Sequence, residues 1–143
     1  MSVINDGLDQ KLFEYLLSSV GATAYYKLLD IKLHKLAPGL AEFKVVAGSR
    51  HTNPMGLIHG GLITSIADAA MGNAVRSLGV IGVTVDMSTA FIGAARLGDT
   101  LTARGRVLKA GKTMIFVEAE VRAGDNLLGH SKATFYKIDE IHY

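Results

Sequence analysis

The apolar positions change period three times along the chain. Residues 9–19 place Leu12, Phe13, Leu16 and Leu17 at helical spacing, which predicts a short amphipathic helix ending near Gly21. Residues 25–36 and 40–47 partly alternate on either side of Ala37-Pro38-Gly39 and predict a hairpin. A polar, turn-rich stretch follows at 49–56, the kind of segment that carries functional loops. Residues 59–77 then return to helical character and end at Gly79, with Arg76 in the last turn where a cation is favoured. Leu62, Ile66, Ala69, Ala70 and Val75 spread around this helix, and Ala67, Gly72 and Ala74 fill other faces. A helix apolar nearly all round is buried on most sides, and its small residues let neighbours come close.

Beyond it the period becomes two. Val83, Val85, Met87, Thr89 and Phe91 alternate with Thr84, Asp86, Ser88, Ala90 and Ile92. The runs 100–109, 113–122 and 127–138 are also strand-like, broken at Gly98-Asp99, Ala110-Gly111-Lys112 and Gly124-Asp125-Asn126. Four strands joined by short turns predict an antiparallel meander. The expectation is an α+β fold in one domain over 1–143: an antiparallel sheet of about six strands wrapped around one long central helix at about 59–77. The sheet edge and helix face left uncovered favour oligomerisation.

Composition removes several classes. The 143 residues fit a single core, with 49% apolar and 20% charged residues. Fifteen basic against thirteen acidic side chains leave a net charge of +2, too little for a general nucleic-acid binder. The absence of cysteine excludes disulfides, thiolate metal sites and a cysteine nucleophile, and agrees with a reducing cytoplasm. The N-terminal residues lack the basic lead of a signal peptide, and the apolar run at 60–75 is interrupted by Asp68. A soluble, cytoplasmic protein without a membrane span is expected. The sequence holds no GxSxG elbow, phosphate loop, HExxH or dinucleotide fingerprint.

Candidate chemistry gathers at residues 53–79. Gly60-Gly61 opens the helix, where the first N–H groups lack helical acceptors and carry positive potential. There they either hold a carbonyl oxygen or merely permit a sharp entry into the helix. Asp68 lies in an otherwise apolar segment, where a charge is costly unless paired or functional, and it is a candidate general base for water. Eight residues of helix put Gly60 and Asp68 ~12 Å apart along the axis. A donor, a carbonyl, a water and a carboxylate in hydrogen-bonded sequence span less, so two antiparallel copies in a dimer are the expected source of one site. His59 is either a structural histidine holding the loop or an aid to carbonyl binding. Asn53 is either a turn residue or a polar hand on the substrate, and Thr84 is ordinarily a good strand residue. Lys109 and Lys112 share a hairpin turn, and with Arg96, Arg104 and Arg106 they are either solvated surface cations or a phosphate site.

The ordered set Asn53-x-x-Gly56-x-x-His59-Gly60-Gly61, Asp68, Gly82-Val83-Thr84-Val85-Asp86-Met87, Ala95-Arg96-Leu97-Gly98-Asp99 and Val107-Leu108-Lys109-Ala110-Gly111-Lys112-Thr113 resembles the hotdog-fold acyl-CoA thioesterases of the phenylacetate-pathway (PaaI-like) group. The resemblance runs from about residue 47 to the end. It implies a dimer, usually paired into a tetramer, that hydrolyses acyl-CoA or aryl-CoA thioesters without metal or cofactor, CoA being part of the substrate. By this resemblance the Gly60 N–H polarises the thioester carbonyl with help from Asn53. Asp68 of the partner subunit activates water or attacks directly, and Thr84 holds the water. Lys109, Lys112 and Arg96 meet the CoA phosphates. Gly93-Ala94-Ala95 departs from the family's more usual proline-containing turn. The rival expectations are an acyl-thioester hydratase or dehydratase pressing His59 into service, and a non-catalytic acyl-CoA-binding module.

Overall fold

The computed structural model describes residues 2–143. In chain order the elements are β1 (Ile4–Asn5), α1 (Gln10–Ala22), α2 (Ala24–Leu29), β2 (Lys32–Ala37), β3 (Leu40–Val46), α3 (Gly60–Arg76), β4 (Val80–Phe91), β5 (Thr100–Ala110), β6 (Met114–Ala123) and β7 (Asn126–Glu140). The strands form one seven-stranded sheet in the order β1-β2-β3-β5-β6-β7-β4. All pairings are antiparallel except the short β1–β2 contact. The sheet curls around α3, which touches β3, β4, β5, β6 and β7.

The central helix keeps its expected place and loses a residue at each end: His59 is its N-cap and Ser77 its C-cap. Ile66, Met71, Phe43, Leu101, Ile115 and Val117 make the fully buried centre, helix against sheet. The closest approach is at Gly105 of β5, where an added Cβ would stand 2.5 Å from the carbonyl carbon and oxygen of Ala70. The first helix runs longer than the expected 9–19. Asp9 caps it by accepting the Leu12 N–H at 3.2 Å, and Leu12, Phe13, Leu16 and Val20 are its buried stripe.

Three expectations need correction. Residues 24–29, read as the start of a strand, are α2; Tyr25, Tyr26, Leu28 and Leu29 are apolar at helical spacing, and the left-handed Asp30 (φ 58°) stops the helix. The sheet has seven strands, against an expectation of about six, because Ile4–Asn5 adds an edge. The four-strand meander holds only for β5, β6 and β7. β4 crosses to the far side and pairs with β7, while β5 pairs with β3.

This placement leaves one edge of β4 open, with Ile81, Val83 and Val85 exposed along the strand. A register shift between Thr84 and Asp86 also breaks its alternation. Thr84 pairs with the buried Phe135, and Met87 with the buried Ala133. The extra residue at Val85 therefore puts Thr84 and Met87 on the same helix-facing side, where strict alternation had separated them. No helix among the described residues is long and apolar enough to cross a membrane.

Candidate active site

The segment before α3 is closed on itself by hydrogen bonds. His51, 5% exposed, accepts the Gly48 N–H on Nδ1 at 2.9 Å and holds the Leu29 carbonyl from Nε2 at 2.7 Å. Those two partners require the neutral ring with its proton on Nε2. The His51 carbonyl accepts the His59 N–H at 2.7 Å, and Thr52 bridges Ile58. Inside this loop Asn53 Oδ1 accepts the N–H groups of Met55 (2.9 Å) and Leu57 (3.0 Å). Asn53 is thus a turn residue, yet its Nδ2 hydrogens keep no partner among the described residues.

His59 caps α3 with its ring. Nδ1 accepts the Gly61 N–H at 2.7 Å, and the His59 carbonyl accepts that of Leu62 at 3.0 Å. The Gly60 N–H, between them in sequence, has no acceptor among the described residues. The two glycines have separate reasons. A Cβ on Gly61 would come 2.8 Å from His59 Nδ1, against the cap; one on Gly60 would come 3.1 Å from Cε1 of Phe91, at the end of β4. A cavity of about 290 Å³ opens beside this helix start, lined by Tyr25, His51, His59, Gly61, Leu62 and Ser65 among others.

Asp68 is half-buried on α3. Burial pushes its carboxyl above the usual value of 3.8, and hydrogen bonding from Thr84 of β4 pulls the other way by favouring the charged form. The Val85 bulge is therefore what delivers Thr84 to the carboxylate. Asn53, His59 and Gly60 gather at the helix start, and Asp68 with Thr84 form a second group two turns away, ~12 Å along the axis. One chain does not bring the two groups together.

The cations are also divided. Lys109 and Lys112 are exposed at the β5–β6 turn, whereas Arg96 lies in the loop before β5, its backbone N–H on Asp99 Oδ2 at 2.9 Å. About ten residues of strand, ~30 Å, separate Arg96 from the lysines within one chain. Among the described residues no group of three His, Asp or Glu side chains is placed to hold a metal ion. Sequence reasoning passed over two residues. Phe91 was only a strand position, and Tyr26, in a misread segment, carried no signal that its hydroxyl reaches α3.

A curled sheet wrapped around one long helix is the hotdog fold, and the chain belongs to the thioesterase superfamily, whose family profile matches residues 55–130. Human acyl-coenzyme A thioesterase 13 is 30% identical over 132 residues, covering 89% of this chain and 94% of its own. Among solved structures, the PaaI protein of the E. coli phenylacetic acid degradation operon superposes with a TM-score of 0.88 at 24% identity, over 95% of this chain and all of its own. A thioesterase from Streptococcus pneumoniae, described as hypothetical and solved with coenzyme A, superposes with a TM-score of 0.75 at 23% identity, over 78% of this chain and 91% of its own.

Proposed function

We propose that this protein hydrolyses acyl-CoA or aryl-CoA thioesters to the free acid and CoA, in sites shared between two copies of the chain. The observation that carries the reading is the pair of unfinished features on α3, a free Gly60 N–H and an acid held above its usual range, too far apart to meet on one substrate. The likeness to acyl-coenzyme A thioesterase 13 and to a coenzyme A-bound thioesterase structure supports the substrate class.

The open edge of β4 supplies a way to close the gap. Phe91 ends the strand and Thr84 is its fifth residue, with Met87 and Ser88 midway between the two. Antiparallel pairing of two β4 edges about that midpoint sets Phe91, and the Gly60 beside it, opposite Thr84 of the partner subunit, with paired Cα atoms about 5 Å apart. Asp68 of the partner subunit then reaches the substrate bound at Gly60, and the same operation makes the second site. Such pairing also covers Val83 and Val85. Dimers of this kind leave the outer sheet faces for assembly into a tetramer.

In the reaction the thioester carbonyl oxygen accepts the Gly60 N–H, with an Asn53 Nδ2 hydrogen as second donor, and both strengthen as the oxygen becomes an oxyanion. Asp68 takes a proton from water as the water oxygen bonds the carbonyl carbon, and Thr84 holds that water. The tetrahedral intermediate expels the CoA thiolate, which receives the proton from Asp68. A carboxylate with a raised pKa is a better base, so its burial serves the chemistry. Lys109, Lys112 and Arg96 bind the CoA phosphates from two subunits. His59 assists by fixing the helix start; with Nδ1 committed to Gly61 it is a poor candidate for hydratase chemistry. Thiol release from a panel of acyl-CoA substrates tests the reading. Asp68→Asn is expected to lose at least ~100-fold in kcat, and a retained rate refutes the assignment.

A further inference from the structure

The cavity beside the start of α3 borders the proposed oxyanion site directly. His59 and Gly61, the residues on either side of Gly60, both line it. From Gly61 it follows the first turn of α3 past Leu62 to Ser65, ~6 Å along the axis. There the hydroxyls of Ser65 and of Tyr25 from α2 share a hydrogen bond of 2.6 Å. Leu29 of α2 and the buried Leu62 supply apolar surface. A further part of the wall is the turn Ser49–His51. The His51 N–H on the Gly48 carbonyl (3.0 Å) and the Thr52 N–H on the Ser49 carbonyl (3.3 Å) hold that turn, which brings Arg50 to the cavity.

The polar groups on this lining are mostly donors. Thr52 spends its hydroxyl proton on the Ser49 carbonyl (2.8 Å), and His51 spends both ring nitrogens on Gly48 and Leu29. Three other donors keep no partner among the described residues. The Tyr25–Ser65 pair has two protons and one bond, so one proton is surplus. The His59 ring, accepting from Gly61 on Nδ1, carries its proton on Nε2. Arg50 is exposed, and it has no carboxylate within ion-pair distance among the described residues. No Asp or Glu lines the cavity to neutralise it.

We propose that the acyl group this protein accepts is short and ends in a free carboxylate, and that Arg50 is the residue that selects it. This rests on the reading of the protein as an acyl-CoA thioesterase with the substrate carbonyl on Gly60. An ionised carboxylate only accepts hydrogen bonds, and a guanidinium meets it through two parallel N–H groups. Leu29 and Leu62 cover the methylenes, and the surplus hydroxyl proton of Tyr25–Ser65 gives the anion a further donor. The cavity sets the length of the chain. At about 290 Å³ it lies at the small end of ligand pockets. Its ~6 Å along the helix matches the ~6 Å that five C–C bonds span in an extended six-carbon chain. Succinyl, glutaryl and adipoyl groups meet these limits, and a long alkyl chain does not.

The test compares adipoyl-CoA with hexanoyl-CoA, chains of equal length that differ only at the far end, in wild type, Arg50→Gln and Arg50→Lys. Wild type is expected to favour adipoyl-CoA about tenfold in kcat/KM, chiefly through KM, the value of a hydrogen bond to a charged group. Arg50→Gln is expected to bring the ratio of the two close to one. Arg50→Lys, which keeps the charge and loses the fork, recovers part of the preference. A wild type that prefers hexanoyl-CoA, or takes both equally, overturns the proposal. So does a preference that survives Arg50→Gln, or an equal loss on both substrates, which puts Arg50 on the CoA moiety they share. If wild type cleaves neither thioester, the proposed function fails and calorimetric binding decides about the cavity. Tighter binding of adipoyl-CoA that is lost in Arg50→Gln then upholds the carboxylate site, and equal binding of the two overturns it.

Discussion

Replacing Gly60 by proline deletes the backbone N–H donor of the proposed oxyanion site, and the local backbone accepts the change. Gly60 is the first residue of α3, where a missing N–H removes no helical hydrogen bond and proline's fixed φ suits the helix. The residue before it, His59, sits at φ −66° and ψ 135°, the extended region that a following proline demands. The His59 ring on the Gly61 N–H and the His59 carbonyl on that of Leu62 are both retained. The added Cβ stands 3.1 Å from Phe91 Cε1, and Phe91 is 60% exposed with room to swing. Gly60→Ala introduces the same Cβ while keeping the N–H, so the comparison of the two variants removes the effect of the Cβ and leaves that of replacing the N–H by the proline ring. Loss of one oxyanion donor is worth roughly 10²–10³-fold in kcat. Stability is expected to change by less than about 1 kcal/mol, since a compatible proline restricts the unfolded chain. The assay is thiol release at saturating acyl-CoA, with thermal melts of all three proteins. A Gly60→Pro protein that melts like Gly60→Ala and turns over at the same rate refutes the role of this N–H.

Three further outcomes follow from the same geometry. Because burial raises the Asp68 pKa, the fold favours the protonated form; wild type carries an ionisation penalty above the folded pKa that fades as pH falls through it toward 3.8. Asp68→Asn is therefore expected to melt higher than wild type at neutral pH, with the gain vanishing in acid; a lower neutral-pH melting temperature contradicts the burial argument. Mixing Gly60→Pro chains with Asp68→Asn chains under subunit exchange is expected to restore activity, since each heterodimer contains one intact site; exchange shown by mass spectrometry without recovered thiol release sinks the shared site. Gly105→Ala drives a Cβ to 2.5 Å from the Ala70 backbone, which is not the tip of a flexible side chain. It is expected to lower stability by about 1–3 kcal/mol or more in denaturant unfolding, and a neutral result refutes the close helix–sheet contact.

The parts of the fold that rest on a strong period were legible in the sequence. α3, β5, β6 and β7 stand where the pattern put them, within a few residues. Periodicity names a strand without naming its neighbour, so it missed that β4 pairs with β7 across the sheet. It also missed the bulge at Val85, since one extra residue leaves the composition of a strand unchanged. Residues 24–29 failed because Tyr and Leu suit a strand or a short helix equally, and the deciding signal is the left-handed turn at Asp30. In the site, Gly60 and Asp68 were legible because each breaks a local rule, glycines opening a helix and an acid within an apolar one. Asn53 and His59 were named, but their engagement of Met55, Leu57 and Gly61 needed coordinates. Tyr26 and Phe91 break no rule in sequence; their contacts with Asn73 and Gly60 arise only from packing.

The costs left standing in the single chain share one border. Among the described residues the Gly60 N–H has no acceptor and the half-buried acid Asp68 has no cationic partner; Val85 interrupts its ladder, and Ile81, Val83 and Val85 line an open sheet edge. Each is unfavourable by itself: an unmade hydrogen bond, a desolvated charge, a lost pairing and exposed apolar surface. A fold selected for stability alone would scatter or remove such defects, yet here all four lie on α3 and β4. In the proposed dimer a second copy on the β4 edge would cover the apolar strand, and a thioester bound between the copies would give the N–H its acceptor and place its carbonyl before the water that the acid activates. The two partners that would relieve the unmade hydrogen bond, the desolvated acid and the exposed strand are the two that the proposed reaction requires, which ties the functional reading to the fold.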